Sequence, residues 1–322
     1  MNMSEAKYLG NVSLRGKLRE DVAMSRHTSW RAGGHVERMY QPADLQDLML
    51  FMHDLPIDEP LLVVGLGSNL LVRDGGVRGT VLLLHAALSV LKLEKDGTLY
   101  AQAGIPGAKL ARFAANNDLR GAEFFAGIPG TVGGMLAMNA GCYGSETWQV
   151  VERVQTLDRN AVLHERTVAE YEIAYRHLQR KSKGADLADR DEIFVGAWFR
   201  LAQGNGEVSR KEIKALLGKR IQSQPLNLPN AGSVFRNPPG DHAARLIEVS
   251  GLKGRKIGGA QVSEKHANFI VNLGNATSAD IENLIMEVRA VVKQKTGIEL
   301  HPEVRIVGEG AVNTANNNNE HK

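Results

Sequence analysis

Two glycine-dense stretches about sixty residues apart, Gly65–Gly79 and Gly127–Gly144, constrain this chain more than any other feature. The first reads GLGSNLLVRDGGVRG and the second GIPGTVGGMLAMNAGCYG. Each follows or interrupts apolar sequence, and neither carries the Ser/Pro filler of a flexible linker. Glycine at this density lets backbone N–H groups approach a ligand in φ/ψ regions that other residues avoid. Successive N–H groups then form concave nests that hold phosphate oxygens without lysine. Either loop alone reads equally well as a tight turn in a β-rich domain. Two on one chain suggest a ligand with a diphosphate, such as a dinucleotide.

A Rossmann fingerprint does not account for the first stretch. Gly65-Leu66-Gly67 begins like G-x-G-x-x-G after the apolar run Leu61–Val64, but position 70 is Leu. The next residues, Asn69 to Gly76, read as a short strand ending in an Asp-Gly turn, so the loop joins strand to strand.

Composition narrows the class. A chain of 322 residues holds two or three domains, and 43% hydrophobic with 23% charged residues is ordinary for a soluble globular protein. The net charge of +3, without a Lys/Arg block, argues against nucleic acid as a partner. The single cysteine, Cys142, excludes an intramolecular disulfide framework and fits a reducing compartment. No His/carboxylate cluster or H-E-x-x-H points to a metal. The N-terminus has no apolar signal core, and the longest apolar stretch, Val81–Leu91, is too short to span a bilayer. These features read as a soluble cytoplasmic protein with no membrane association; oligomeric state is not legible.

Strands and helices mix along the chain. Asp44–His53 has helical apolar spacing, Leu61–Val64, Val81–Leu84 and Leu99–Ala103 read as strands, and Gly107–Asn117 reads as a helix. Val150–Leu157 and Ile193–Leu201 are strand-like. Composition changes near Gln203–Gly206, where we place a domain boundary. Beyond it, Ser209 to Glu212 reads as a capping box opening a helix with Ile213, Leu216, Leu217 and Ile221 on one face. A short helix over Asp241–Val249 and a strand over Ala267–Leu273 come next. Thr277 caps a last helix with a core stripe from Ile281 to Val292, ending at Gly297, and Glu299–Val307 reads as a strand returning to the sheet system. The expected organisation is a lead-in over 1–24, one domain over 25–204 in parts of about 25–85 and 86–204, another over 205–308, and a disordered tail over 309–322.

Three late segments are more polar than structural loops require: Asn230–Pro238, Ile257–Ser263 with His266 and Asn268 after it, and His301–Arg305. Taken singly, Ser233 reads as a turn hydroxyl or a catalyst, Glu303 as a solvent-facing strand residue or a site residue, and Arg176 as a surface arginine. Cys142, in a small-residue loop with no His near it in sequence, is a poor nucleophile.

Taken together, TSWRAGG (Thr28–Gly34), GLGSNLLVRDGG (Gly65–Gly76), GIPGTVGG with MNAG (Gly127–Gly141), Tyr175-Arg176, AGSVFRNP (Ala231–Pro238), IGGAQVSEKHANFIVN (Ile257–Asn272) and HPEVRIVG (His301–Gly308) resemble the UDP-N-acetylenolpyruvoylglucosamine reductase family. The resemblance runs in family order over residues 25–308, and the serine motif is similar to that of the subclass lacking an extra tyrosine-bearing loop. It implies an α+β chain: a two-subdomain FAD-binding fold of the vanillyl-alcohol-oxidase type, then a C-terminal α+β substrate-binding domain. It also implies FAD as cofactor, NADPH as co-substrate and UDP-N-acetylglucosamine enolpyruvate as substrate. The FAD diphosphate would lie against Gly65, Gly67, Ser68 and Asn69 and against Gly127, Ile128, Pro129, Gly130, Gly133 and Gly134, with Asn139 and Gly141 also on the cofactor.

By the same resemblance Arg176 clamps the substrate carboxylate, Ser233 protonates C2, and Glu303 assists at the enol(ate), protonated or sharing a proton with a donor. Tyr175 and Asn237 are assigned to the substrate, as are Arg236 and Lys256 from their proximity to the motifs. Two departures stand out: His177-Leu178-Gln179 where many members have a serine, and Cys142 where a small residue such as alanine is usual. The competing readings are an FAD oxidase on the same scaffold and a nucleotide-binding protein without chemistry. The joint presence of Arg176, Ser233 and Glu303 speaks against both.

Overall fold

The computed structural model describes residues 8–9, 12–181 and 192–311. The chain divides into two discontinuous compact units. Residues 1–19, 38–66 and 80–223 form the first, and 20–37, 67–79 and 224–322 form the second. The chain passes between them within the strands Lys17–Ala23, His35–Gln41 and Val77–Leu83. Part of the expected lead-in is therefore strand, and residues 312–322 of the expected tail lie outside the described residues.

In the first unit a five-stranded antiparallel sheet runs in the order Leu163–Thr167, Val151–Leu157, Ile193–Phe199, Leu99–Gln102, Leu91–Leu93. The helix Gly107–Asn116 covers it with Leu110, Ala111, Ala114 and Ala115, whose small side chains share a core with Phe125, Leu136, Val154 and Phe199. A second core gathers Tyr40, Leu48, Phe51, Met52, Leu82 and Val195. Its helix, Leu45–Asp54, starts where the Asp44 carboxylate accepts the Asp47 N–H. The buried Asp47 carboxylate in turn accepts from Tyr40 Oη (2.6 Å), Ala43 N (2.9 Å) and Arg15 N (2.7 Å), which satisfies a charge that would otherwise be expensive to bury. Leu61–Val64 lies parallel to the end of Val77–Leu83, with Leu61 opposite Thr80 and Val64 opposite Leu83.

In the second unit a three-stranded antiparallel sheet of Lys256–Ile257, Ala260–Val262 and Ile270–Asn272 packs against the helices Ala243–Val249 and Ser278–Thr296. Ile281, Leu284, Ile285, Val288 and Val292 form the expected stripe against Val262, Ile270 and Phe235. Thr277 and Asp280 make the reciprocal capping pair, and Gly297 ends the helix at φ 74°, a left-handed position that suits glycine. Arg305–Val307 pairs in parallel with Leu70–Val72, which confirms the strand after the first glycine loop.

Two expectations need correction. The helix expected from Ser209 begins at Gly206, with the Asn205 side chain accepting from the N–H groups of Glu207 (2.9 Å) and Val208 (3.3 Å). Ser209 is buried and donates its hydroxyl to Glu123 in the 3₁₀ turn Glu123–Gly127, so the apparent capping serine is an interior helix residue bonded to another element. The final strand is also shorter than Glu299–Val307. Only Arg305–Val307 pairs as a strand, because Pro302 makes an isolated bridge to Phe235 and the intervening backbone bonds to the Ser233 segment.

Candidate functional site

The first glycine loop is shaped by close contacts. A Cβ on Gly65 would lie 2.4 Å from Thr131 Oγ1, so this glycine is what allows the first loop to touch the second inside the first unit. Gly67 has φ 61°, and a Cβ there would fall 2.0 Å from the His27 carbonyl oxygen. Its own carbonyl accepts the Ser29 N–H at 3.1 Å. After the partly buried Ser68, Asn69 donates from Nδ2 to the Glu303 carbonyl (3.1 Å) and accepts the Arg305 N–H (3.0 Å).

The second loop lies wholly in the first unit, between the 3₁₀ turn Glu123–Gly127 and the short helix Val132–Ala137. Ile128 donates back to Phe125 (3.1 Å), Pro129 is exposed, and the Gly130 carbonyl accepts the Gly107 N–H (2.9 Å). Gly133 donates to the Ala103 carbonyl at 2.9 Å, so its contribution to a cradle is clearance rather than a free donor. A Cβ there would sit 3.0 Å from Ala103 Cβ. Gly134 differs: it is exposed, and a Cβ would meet nothing nearer than Thr131 Oγ1 at 3.9 Å. Glycine inside a helix costs about 1 kcal/mol relative to alanine, and no protein atom demands it at 134. A ligand pressed against the backbone would, and in this respect the loop fits a dinucleotide such as FAD.

Asn139, fully buried at φ 39°, ties the loop to the hairpins after it. Its Nδ2 donates to Glu146 (2.8 Å) and to the Ala174 carbonyl (3.1 Å), and its Oδ1 accepts the Trp148 N–H (3.2 Å). Gly141–Cys142 and Ser145–Glu146 form a hairpin whose turn, Tyr143-Gly144, has φ 55° and 84°. The Cys142 thiol donates to the Phe124 carbonyl (3.0 Å), and burial pushes its pKa up to about 11, which leaves it unreactive at neutral pH.

Arg176 is no ordinary surface arginine. It sits with Tyr175 at the tip of the hairpin Tyr171–Ala174/His177–Arg180, at φ 53°. Its guanidinium donates to the carbonyls of Asn139 (3.2 Å) and Gly141 (2.9 Å) and lies 5.2 Å from the centroid of the exposed Tyr175 ring. The glycine loop and the candidate carboxylate clamp are thus one assembly. The departure at His177-Leu178-Gln179 forms the returning strand of that hairpin and leaves the arginine's anchors intact.

In the second unit the structure joins three candidates that are distant in sequence. Glu303 N–H donates to the Val234 carbonyl (2.7 Å), Arg236 N–H donates to the His301 carbonyl (3.0 Å), and Asn69 reaches the Glu303 carbonyl. Ser233 and Glu303 therefore lie on adjacent segments with Asn69 beside them. Gly232, at φ 74°, donates to Asn230 Oδ1 (3.0 Å) and turns the chain into Ser233. Arg236 is half-buried, and its Nε is buried without a hydrogen-bond partner. Asn237 uses Oδ1 to accept the Ala243 N–H (3.1 Å) at the start of a helix. Lys256 stands exposed opposite Gln261, and among the described residues no hydrogen bond ties it to the Ser233 loop.

One cation escaped the sequence reading. The expected helix face included Ile221, which is exposed, whereas Arg220 lies half-buried near Cys142 and Tyr143. Burial lowers its pKa, but a guanidinium remains charged in proteins. Helical spacing from Ile213, Leu216 and Leu217 reaches 220, so the apolar stripe ends on a cation beside the second glycine loop.

Residues 36–165 match an FAD binding domain, and residues 224–307 match the UDP-N-acetylenolpyruvoylglucosamine reductase C-terminal domain. The UDP-N-acetylenolpyruvoylglucosamine reductase of Nitrosospira multiformis is 56% identical, covering 96% of this chain and 94% of its own length. That of Thiobacillus denitrificans is 55% identical, covering 95% and 98%. The crystal structure of the reductase from Thermus caldophilus superposes with a TM-score of 0.75 at 29% identity, over 91% of this chain and 99% of that one. Identity of this extent, over nearly the whole of both chains, means that this chain belongs to the UDP-N-acetylenolpyruvoylglucosamine reductase family.

Proposed function

We propose that this protein reduces UDP-N-acetylglucosamine enolpyruvate to UDP-N-acetylmuramate with NADPH, in the cytoplasm, as a step of peptidoglycan precursor synthesis. The observation that carries this reading is the pairing of the Ser233 and Glu303 segments through Glu303 N–H and the Val234 carbonyl, in a chain that also holds a glycine cradle. FAD, when held against Gly65–Asn69 and Gly127–Gly134, would supply the hydride chemistry that links NADPH to C3 of the enolpyruvyl group. Residues 25–204 carry the cofactor and 205–308 the substrate, in the subclass without the extra tyrosine loop.

The backbone of Gly65–Asn69 and Gly127–Gly134 holds the diphosphate, and Asn139 and Gly141 keep the second loop in place. Arg176 binds the substrate carboxylate. Its planar guanidinium is anchored at two carbonyls and presents the positive charge that hydride addition requires as negative charge spreads from C2 into the carboxylate. Glu303 stabilises the enol(ate). Ser233 delivers a proton to C2; an alcohol is a weak acid, but the enolate carbon is a strong base. Tyr175, Arg236, Asn237 and Lys256 bind the rest of the substrate, with the unpartnered Nε of Arg236 available to an anionic group.

An anaerobic two-step titration tests this. NADPH should bleach the flavin, and the enolpyruvyl substrate should restore its colour with one product molecule per flavin. Bleaching without recovery would sink the substrate assignment, and a protein that takes up no flavin would sink the cofactor assignment. Ser233→Ala should leave bleaching by NADPH near normal and stop the recovery.

A further inference from the structure

Asn268 belongs to the polar segment after Ile257, and neither cofactor nor substrate binding engages it in the proposed function. Its side chain is 4% exposed. It acts as a backbone substitute for the chain segment that carries Ser233. Oδ1 accepts the Phe235 N–H (3.0 Å), Nδ2 donates to the Phe235 carbonyl (2.8 Å), and the Asn268 carbonyl accepts the Val234 N–H (2.9 Å). On its other edge the same segment offers the Val234 carbonyl to Glu303 N–H at 2.7 Å. The two residues after Ser233 are thus clamped between Asn268 and the backbone of Glu303.

Asn268 is itself held. Its N–H donates to His266 Nδ1 (3.3 Å), and the N–H groups of Lys265 and His266 donate to Ser263 Oγ (3.1 and 3.3 Å). Only a primary amide supplies a donor and an acceptor in the spacing of a peptide group, so no other side chain of this size can make both bonds to Phe235.

We infer that Asn268 is a positioning residue for the proton delivery: it sets the backbone from which Ser233 and Glu303 project, and so their spacing to each other. The inference rests on the proposed role of Ser233. A displacement of about 1 Å at a reacting group can lower a rate by on the order of 100-fold, and the effect belongs only to the step that uses the group.

The test is Asn268→Ser in the full-length flavoprotein, with the two half-reactions followed separately by stopped-flow absorbance. Reduction by NADPH should stay within about twofold, and reoxidation by the enolpyruvyl substrate should slow on the order of 100-fold. Asn268→Asp keeps the acceptor and loses the donor, and should fall between. Where Asn268→Ser yields no flavoprotein, the aspartate variant is read instead. Unchanged reoxidation, equal slowing of both half-reactions, or loss of flavin from both variants would overturn the inference and leave Asn268 a purely structural residue. Normal reoxidation in Ser233→Ala alone would instead overturn the role of Ser233.

Discussion

The glycine loop of the first unit and the serine loop of the second are shaped by opposite means. Around Gly127–Gly134 the shape comes from backbone and from missing side chains: Gly130 to Gly107, Val132 to Ile105 and Gly133 to Ala103 are all main-chain bonds. Around Ser233 it comes from asparagine amides: Asn230 turns the chain at Gly232, Asn268 clamps Phe235, and Asn272 donates to the Trp30 carbonyl. A surface that presents N–H groups to a phosphate must keep Cβ atoms out of the way. A surface that aims side chains at a reacting carbon needs its backbone gripped from behind, and asparagine carries both a donor and an acceptor for that task.

The contrast can be broken in a definite order. Gly141→Ala should have the largest effect, because the new Cβ would lie 2.3 Å from the Ser145 carbonyl across a two-residue hairpin. We expect a loss of about 3 kcal/mol in a chemical denaturation series, with weakened flavin retention as the loop and the Arg176 anchor shift together. Asn272→Ala comes next. It orphans the Trp30 carbonyl and the N–H groups of Gly274 and Ala276, all now bonded at 2.7–2.9 Å, and should cost about 2 kcal/mol. If Asn272→Ala proved neutral, the claim that asparagine amides shape the second unit would fail.

Gly134→Ala sharpens the comparison because stability and binding should part. The apoprotein should gain about 0.5–1 kcal/mol from the better helix former, yet hold flavin more weakly, as read by equilibrium dialysis. Alanine that stabilises without loosening flavin would show that no ligand presses against residue 134. The smallest effect concerns pH. Burial disfavours the charged form of Asp280, but N–H bonds from Thr277 and Gly259 outweigh it and hold the carboxyl below the ordinary aspartate value. With a depressed folded pKa, its contribution is complete above the ordinary value near 4 and is lost as the pH falls through the folded value. Asp280→Asn should therefore lower stability at neutral pH by less than about 1 kcal/mol, and the difference from the parent protein should shrink as the pH falls through the folded value.

Local pattern was a sound guide where packing and pattern agree. The last helix carried its cap, stripe and stop in sequence, and Thr277, Ile281 to Val292 and Gly297 took those places. It failed where a polar residue was recruited by a distant partner. Ser209 reads as a cap but is drawn inward by Glu123, and Glu299–Val307 reads as a strand until Pro302 and Glu303 bond to the Ser233 segment. Arg220 was hidden for a related reason: the apolar Ile221 extends the pattern but is exposed, whereas the buried face ends one residue earlier on a cation.

The candidate site divides the same way. Glycine-dense loops are visible in sequence because the conformations they require exclude other residues, so composition alone pointed to a backbone cradle and to a strand-to-strand connection outside the Rossmann pattern. The order of the motifs pointed to the family. The anchoring of Arg176 on Asn139 and Gly141, the adjacency of Ser233 to Glu303, and the grip of Asn268 on Phe235 were decided only by the tertiary structure. Those are hydrogen bonds between residues far apart along the chain, and their directions exist only once the backbone that carries both partners has been folded.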